Sequence, residues 1–315
     1  MLDITPIHSP VQRLKHPLFA QYNLHVSVKR DDLIHPIISG NKWRKLKYNL
    51  QFAKTAGYKG VISFGGAYSN HIHALAYACF QQQLPSIAFI RGESHYAANA
   101  TLKQAISWGM KCKFLDRESY KKRSDNTFID HIQQQYPEYF IIPEGGTNFH
   151  ALKGVQELCH ELNSQVEFDT IITPVGSAGT ISGLITGDMQ QHQILGIAVL
   201  KQAGYLRDDI KSLLLEHNCN AKNWQLLTAY HGGGYAKFDN DLLAQMRDFS
   251  QVTQLPIEPI YSGKMIVALL ALIKQGFFPV GHRIVVLHTG GLQGLYGLIE
   301  RKKIKADEWL LPLQS

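Results

Sequence analysis

No apolar stretch in this chain approaches the roughly 20 residues that a membrane span requires. The opening segment, MLDITPIHSPVQRLKHP, has no apolar core of a signal peptide, so a cytoplasmic location is expected. Cysteine is sparse: Cys79, Cys112, Cys159 and Cys219 lie far apart without a CxxC pair, which argues against a disulfide framework and a cysteine-held zinc ion. Histidine is plentiful, yet His71 and His73 stand two apart and do not share a helical face, so no metal is expected. Low-complexity linkers and internal repeats are also missing. The net charge of +7 is scattered, with local clusters only in KWRKLK and YKKRS. An anionic small molecule accounts for that balance as well as a polyanion does, and neither a nucleic acid nor a membrane partner is expected.

What the chain does have is length and alternation. Its 315 residues, 45% hydrophobic and 18% charged, suit a soluble globular protein of about two domains. Short β-branched runs alternate with longer amphipathic ones. LHVSVKR is followed by NKWRKLKYNLQFAKTAG, GVISF by SNHIHALAYACFQQQ, SIAFI by NATLKQAISWG, and KCKFL by a helical stretch near TFIDHIQQQ. After FIIPEGGTN a second block runs through VEFDTIITPVG, a helix from SAGTISGL, ILGIAVL, helices near RDDIKSLLLEH, DNDLLAQMRDFS and KMIVALLALIKQG, and HRIVVLHTGG. This order predicts two doubly wound α/β domains with parallel sheets and a ligand in the cleft at the carboxyl ends of their strands.

Three segments could carry chemistry. GSAGT, Gly176 to Thr180, follows an apolar strand and opens a helix, which suits either a phosphate or a tight turn. Its spacing, GxxGTxxG, is not a dinucleotide fingerprint. GGAYSN repeats the design: Ser69 either caps the next helix or grips a carboxylate with it, Asn70 adding a second contact. In SGNKWRKL, Lys42 stands at a helix start, where the positive end of the helix dipole favours a neutral amine. Arg44 and Lys45 are the expected crowding cations. A neutral amine attacks an aldehyde, and with a phosphate cup and a carboxylate grip it describes a pyridoxal phosphate enzyme. Trp43, Tyr48 and Phe52 are expected on the buried face of the same helix, YKKRSDN in a solvated loop, and His231 to Gly234 in a lid over the substrate.

KRDDL, SGNKWRKL, GGAYSNH, PEGGTN, VGSAGT, GGGYAK, IYSGKM and LHTGG occur in an order that resembles the 1-aminocyclopropane-1-carboxylate deaminase and D-cysteine desulfhydrase family, over residues 6 to 300. The resemblance implies a tryptophan synthase β-like fold, with a large cofactor-binding domain from 1–48 and 150–315 and a small domain from 49–149. It also implies a homodimer and pyridoxal 5'-phosphate as cofactor. By the same resemblance Lys42 forms the Schiff base, and Asn70 binds the phenolic oxygen. Gly176, Ser177, Ala178, Gly179 and Thr180 hold the phosphate. Ser69, Asn70 and His71 hold the substrate carboxylate, Tyr235 and Tyr261 face substrate and ring, and Ser262 and Thr289 lie by the ring.

Departures narrow the branch. Deaminases resemble YEGKSM and HLGG, where this chain has YSGKM and HTGG, so Ser262 and Thr289 resemble the desulfhydrase side. Tyr68 stands where glutamine is usual, and GGGYAKF lacks the following Gly-Ile-Pro or Gly-Leu-Pro. A hydroxyl near the pyridine nitrogen makes a weaker electron sink than a carboxylate, which suits thiolate expulsion better than ring opening. The expected reaction is β-elimination from D-cysteine or a related D-amino acid, with Lys42 as the base at Cα. The alternatives are a 1-aminocyclopropane-1-carboxylate deaminase, a serine or threonine dehydratase, and a cofactor-binding protein without turnover.

Overall fold

A computed structural model describes residues 9–311 of the chain. The segment before Ser9, part of the stretch read for a signal core, lies outside the described residues. Ten strands follow one another: β1 (Val11–Arg13), β2 (His25–Lys29), β3 (Gly60–Gly66), β4 (Ser86–Arg91), β5 (Lys111–Leu115), β6 (Tyr139–Ile141), β7 (Thr170–Val175), β8 (Gln193–Ala198), β9 (Trp224–Leu227) and β10 (Arg283–Leu287). They form two sheets, a six-stranded one in the order β1-β2-β10-β7-β8-β9 and a four-stranded one in the order β5-β4-β3-β6. Every pairing is parallel except β1 with β2.

Parallel strands need crossover helices, and helices on both faces demand apolar residues on both sides of each strand. β10 meets that demand by alternation. Ile284 and Val286 enter one core with Val26, Ile172, Leu195 and Leu269, while Val285 and Leu287 enter a second with Val155, Leu158, Ile181 and Ile194. In the small sheet, β3 sends Val61 to a core shared with Leu46, Leu50, Ile72 and Leu75, and Ile62 and Phe64 to another with Ile87 and Ile132.

Strand order fixes where a ligand can sit. In the large sheet the chain winds from β7 outward through β8 and β9, whereas β10 lies on the opposite side of β7. In the small sheet it winds from β3 through β4 and β5, whereas β6 lies on the opposite side of β3. Each sheet therefore has a switch point, between β7 and β10 in one and between β3 and β6 in the other. Loops leaving the carboxyl ends of such neighbours diverge and open a crevice. The loops are 176–178 and 288–291 in the large sheet, and 67–69 and 142–147 in the small one.

Candidate active site

All four loops line one cavity of about 1250 Å³, together with Lys42, Tyr235 and Tyr261. Lys42 reaches it because its helix, Asn41–Thr55, is seated at the first turn by neighbours from the large sheet. The cap residue Gly40 has a φ of 66°, and a Cβ there would fall 1.8 Å from the Thr289 carbonyl oxygen, so only glycine allows the approach. The Asn41 amide donates to that carbonyl at 3.2 Å, and Asn41 Nδ2 donates to Thr180 Oγ1 at 2.8 Å. Thus the residue before the amine is bonded to the last residue of GSAGT.

Burial pushes the Lys42 amine down to about 8, against the opposing pull of the Glu144 carboxylate. The cations expected to crowd it divide. Arg44 is two residues on and points to the opposite face, where it is fully buried and paired with Asp31 at 2.7 Å and Glu161 at 2.8 Å. Arg44 thus serves the scaffold, a correction to its expected place beside the amine. Lys45, three residues on, shares the face of Lys42. Its Nζ donates to the Gly145 carbonyl at 2.7 Å and Thr147 Oγ1 at 2.8 Å, and lies 3.4 Å from Ser177 Oγ. Burial and the charge of Lys42 hold its pKa well below the usual lysine value. Its amine thus braces the GSAGT turn from behind and is not part of the cavity lining. Of the two cations expected to crowd the Lys42 amine, Lys45, at i, i+3 spacing, is the one that lies near it.

Gly176, Ser177, Ala178 and Thr180 line the cavity, and Gly179 lies behind them, where a Cβ would meet Lys45 Nζ at 2.9 Å. Across the crevice Ser69 caps the helix Asn70–Gln81 by accepting from the Ile72 amide at 3.3 Å, and Ser69, Asn70 and His71 all line the cavity. The Asn70 amide faces the large sheet, its Nδ2 2.8 Å from where a Cβ on Gly291 would stand. His71 Nε2 lies 2.7 Å from Ser63 Oγ, which donates to the Ile142 carbonyl at 2.7 Å. That places the ring proton on Nε2 and leaves Nδ1 as an acceptor with no hydrogen-bond partner among the described residues. Burial and the nearby Lys42 and Lys45 push the imidazole well below its usual value, so it is neutral.

Tyr235 and Tyr261 meet with hydroxyls 3.5 Å apart and rings edge to face at 6.0 Å. Burial raises both phenols, Tyr261 far above the ordinary value, and both stay protonated. The Tyr261 ring packs on the cup: a Cβ on Gly176 would fall 2.8 Å from its Cε1. Thr289 also lines the cavity. Ser262 does not. Its Oγ accepts from the Glu258 amide at 2.9 Å and lies 3.0 Å from Glu258 Oε1, because Glu258 folds back to accept the Ile260, Tyr261 and Ser262 amides at the start of the helix Ser262–Lys274. Glu258, missed in the sequence, thus closes the helix start and is the partner of the Ser262 hydroxyl. The 231–234 loop is pinned from beneath by the fully buried Lys264, whose Nζ donates to the Gly234 carbonyl. Among the described residues no group of three or more His, Cys, Asp and Glu is placed to hold a metal ion.

A lysine, a glycine-rich turn that opens a helix and a second helix N-terminus thus share one crevice, and a family model described as pyridoxal-phosphate dependent enzyme matches residues 4–290. The chain belongs to this family. A Thermotoga maritima protein with a provisional 1-aminocyclopropane-1-carboxylate deaminase name is 29% identical over 316 residues, which span 95% of this chain and 99% of that one. A mitochondrial bifunctional D-cysteine desulfhydrase/1-aminocyclopropane-1-carboxylate deaminase of Arabidopsis thaliana is 26% identical over 90% of this chain and 76% of its own. A crystal structure of a homologue of the deaminase superimposes with a TM-score of 0.80 at 26% identity, covering 94% of this chain and 93% of that one. This pyridoxal-phosphate dependent enzyme uses pyridoxal 5'-phosphate, and its crevice fits that molecule: an amine lowered to about 8 for the aldehyde, and a glycine-rich turn at the start of the helix Gly179–Asp188 for the phosphate. The parallel two-sheet α/β fold is the one read from the alternation of strands and helices. None of its described helices is long and apolar enough to cross a membrane.

Proposed function

We propose that this enzyme catalyses β-elimination from D-cysteine or a related D-amino acid, turning cysteine and water into sulfide, pyruvate and ammonia. The cofactor, when bound, supplies an electron sink conjugated to the substrate Cα. In this reading Lys42 binds the aldehyde and accepts the Cα proton. The turn from Gly176 to Thr180, braced by Lys45, holds the phosphate, and Asn70 meets the phenolic oxygen. Ser69, with the amides of Asn70 and His71, holds the substrate carboxylate at the positive end of its helix. Tyr235 and Tyr261 present protonated hydroxyls to the substrate, and Thr289 offers a hydroxyl to the ring.

One observation carries the choice of reaction. Glu258 spends its carboxylate on three backbone amides, and the Ser262 hydroxyl is turned to Glu258, so this turn offers no free acid to the cavity. That favours a substrate that expels a stabilised anion. A thiolate, whose conjugate acid has a pKa of about 8.5, leaves easily, whereas carbon does not. Ring opening of 1-aminocyclopropane-1-carboxylate to 2-oxobutanoate and ammonia is the second reading, favoured by the names of the relatives. The deciding assay gives the purified holoenzyme D-cysteine, L-cysteine, β-chloro-D-alanine, D-serine and 1-aminocyclopropane-1-carboxylate. Sulfide and pyruvate from D-cysteine are expected. Their absence, with 2-oxobutanoate from the cyclopropane substrate, would replace the reading; a visible cofactor band without any turnover would make the protein a carrier.

A further inference from the structure

Three guanidinium groups line the cavity, those of Arg91, Arg123 and Arg301. Two are engaged. Arg123 Nε donates to Glu144, whose other oxygen accepts from the Tyr120 hydroxyl at 2.8 Å. Arg301 Nε donates to the Gly297 carbonyl at 2.8 Å, and its plane lies 4.3 Å from the Tyr68 ring centre. Arg91 has no hydrogen-bonded or ion-paired partner among the described residues; its one contact of note is the Tyr120 ring, 5.7 Å away.

The position of Arg91 is set by the sheet. It ends β4 and pairs in register with Gly66, the last residue of β3 and three before Ser69. One of its terminal nitrogens lies 3.6 Å from the point where a Cβ on Gly66 would stand, so the guanidinium leans over the loop that leads to Ser69. Its charge also reaches Tyr235 on the other wall. A guanidinium presents a planar fork of donors that matches a carboxylate or a related oxyanion. Glu144, Asp209 and Glu216 also line the cavity, and none of them is within ion-pair distance of Arg91; Glu144 is held by Arg123 and Tyr120.

We infer that Arg91 is a specificity-determining residue that binds an anionic group on the β-substituent of the amino-acid substrate. This rests on the elimination reading above for the seating of the amino-acid head on Ser69, and it narrows the substrate class to amino acids whose side chain carries a second negative charge.

The test uses an isosteric pair on the holoenzyme, S-carboxymethylcysteine and S-carbamoylmethylcysteine, each as both enantiomers. Binding is read from the shift of the visible cofactor band and turnover from pyruvate. The carboxylate member is expected to be preferred about tenfold, with the difference in KM and not in kcat, and the preference is expected to shrink as ionic strength rises from about 0.05 to 0.5 M. Arg91→Ala brings the ratio to within about twofold of unity, and Arg91→Lys restores part of it. Turnover of both members without a charge preference, or a preference that survives in Arg91→Ala, overturns the inference and leaves elimination standing. A charge-dependent band shift without pyruvate, where D-cysteine also yields none, overturns elimination and leaves the role of Arg91 standing. A holoenzyme that binds neither member overturns the inference, and elimination is then judged on D-cysteine alone. The salt dependence of the unmodified enzyme decides the matter even where a variant fails to fold.

Discussion

At Lys42 the decisive quantity is the fraction of neutral amine. With a pKa of about 8, half of the amines are neutral at pH 8, against roughly 0.3% for an ordinary lysine. The sign follows directly: raising the pH through 8 converts the ammonium to the attacking form, and further alkali adds little. The rate at which apoprotein regains its visible band with pyridoxal phosphate is therefore expected to climb to about pH 8 and level off, and Lys42→Ala is expected never to gain the band. A rate that climbs without a bend to pH 10 would show that burial does not act on this amine. SGNKWRKL made the lysine visible, but residue spacing in one line does not show which neighbours share its pocket. Arg44 pairs with Asp31 from the 31–33 turn and Glu161 from the helix Phe149–Gln165, and neither partner is signalled locally. Ser262 is a similar case: its motif was legible, and the inward turn of Glu258 was not.

Among the elements, the helix Asn41–Thr55 depends on a crossing that only glycine permits. A Cβ on Gly154, within Phe149–Gln165, would fall 2.0 Å from the Arg44 carbonyl oxygen, a backbone atom that cannot step aside without moving the helix. Gly154→Ala is expected to cost about 2–4 kcal/mol in chemical denaturation and to weaken cofactor retention, since the displaced helix carries Lys42. Gly204→Ala, where nothing lies within 4 Å, serves as the control and is expected to stay within about 0.5 kcal/mol. Equal stabilities for the two would remove the crossing as a determinant. Period and β-branching made most elements readable: GVISF, SIAFI and KCKFL each lie within a strand, and TFIDHIQQQ lies in the helix Asn126–Gln135. The helix Phe149–Gln165 is not among the segments that the alternation picks out, although Leu152, Val155, Leu158 and Leu162 recur at helical spacing. Nor is β9, four residues whose place at the sheet edge is decided by pairing with β8. Strand order, and with it the two facing switch points, comes from long-range pairing that no local window contains.

Across the whole molecule, burial lowers the pKa of His16, His35, His71, His73, His150 and His217. Each is neutral in the fold and protonates more readily once unfolded, so the unfolded chain binds more protons as the pH falls past the ordinary imidazole value of about 6.5. The share of stability that these rings supply is therefore full above that value and is lost below it, through the depressed folded values. In the apoprotein the lowered amines of Lys42 and Lys45 act with the same sign at higher pH, so melting temperature is expected to decline from pH 8 to 7 and to fall further between pH 6.5 and 5; a flat profile over the lower interval would contradict the neutral burial of these rings. The carboxylates act lower still, with Asp169 held down to about 2 by Arg283.

The bonds from Asn41 to Thr180 and Thr289 have a mechanical meaning. They tie the turn that carries the amine to the large sheet, while the rest of its helix packs with Val61 and Ile72 in the core of the small sheet, where Ser69 and Asn70 also stand. Relative drift of the sheets would therefore strain the seats of cofactor and incoming amino acid together, with the Asn41 bonds as the point that carries the load.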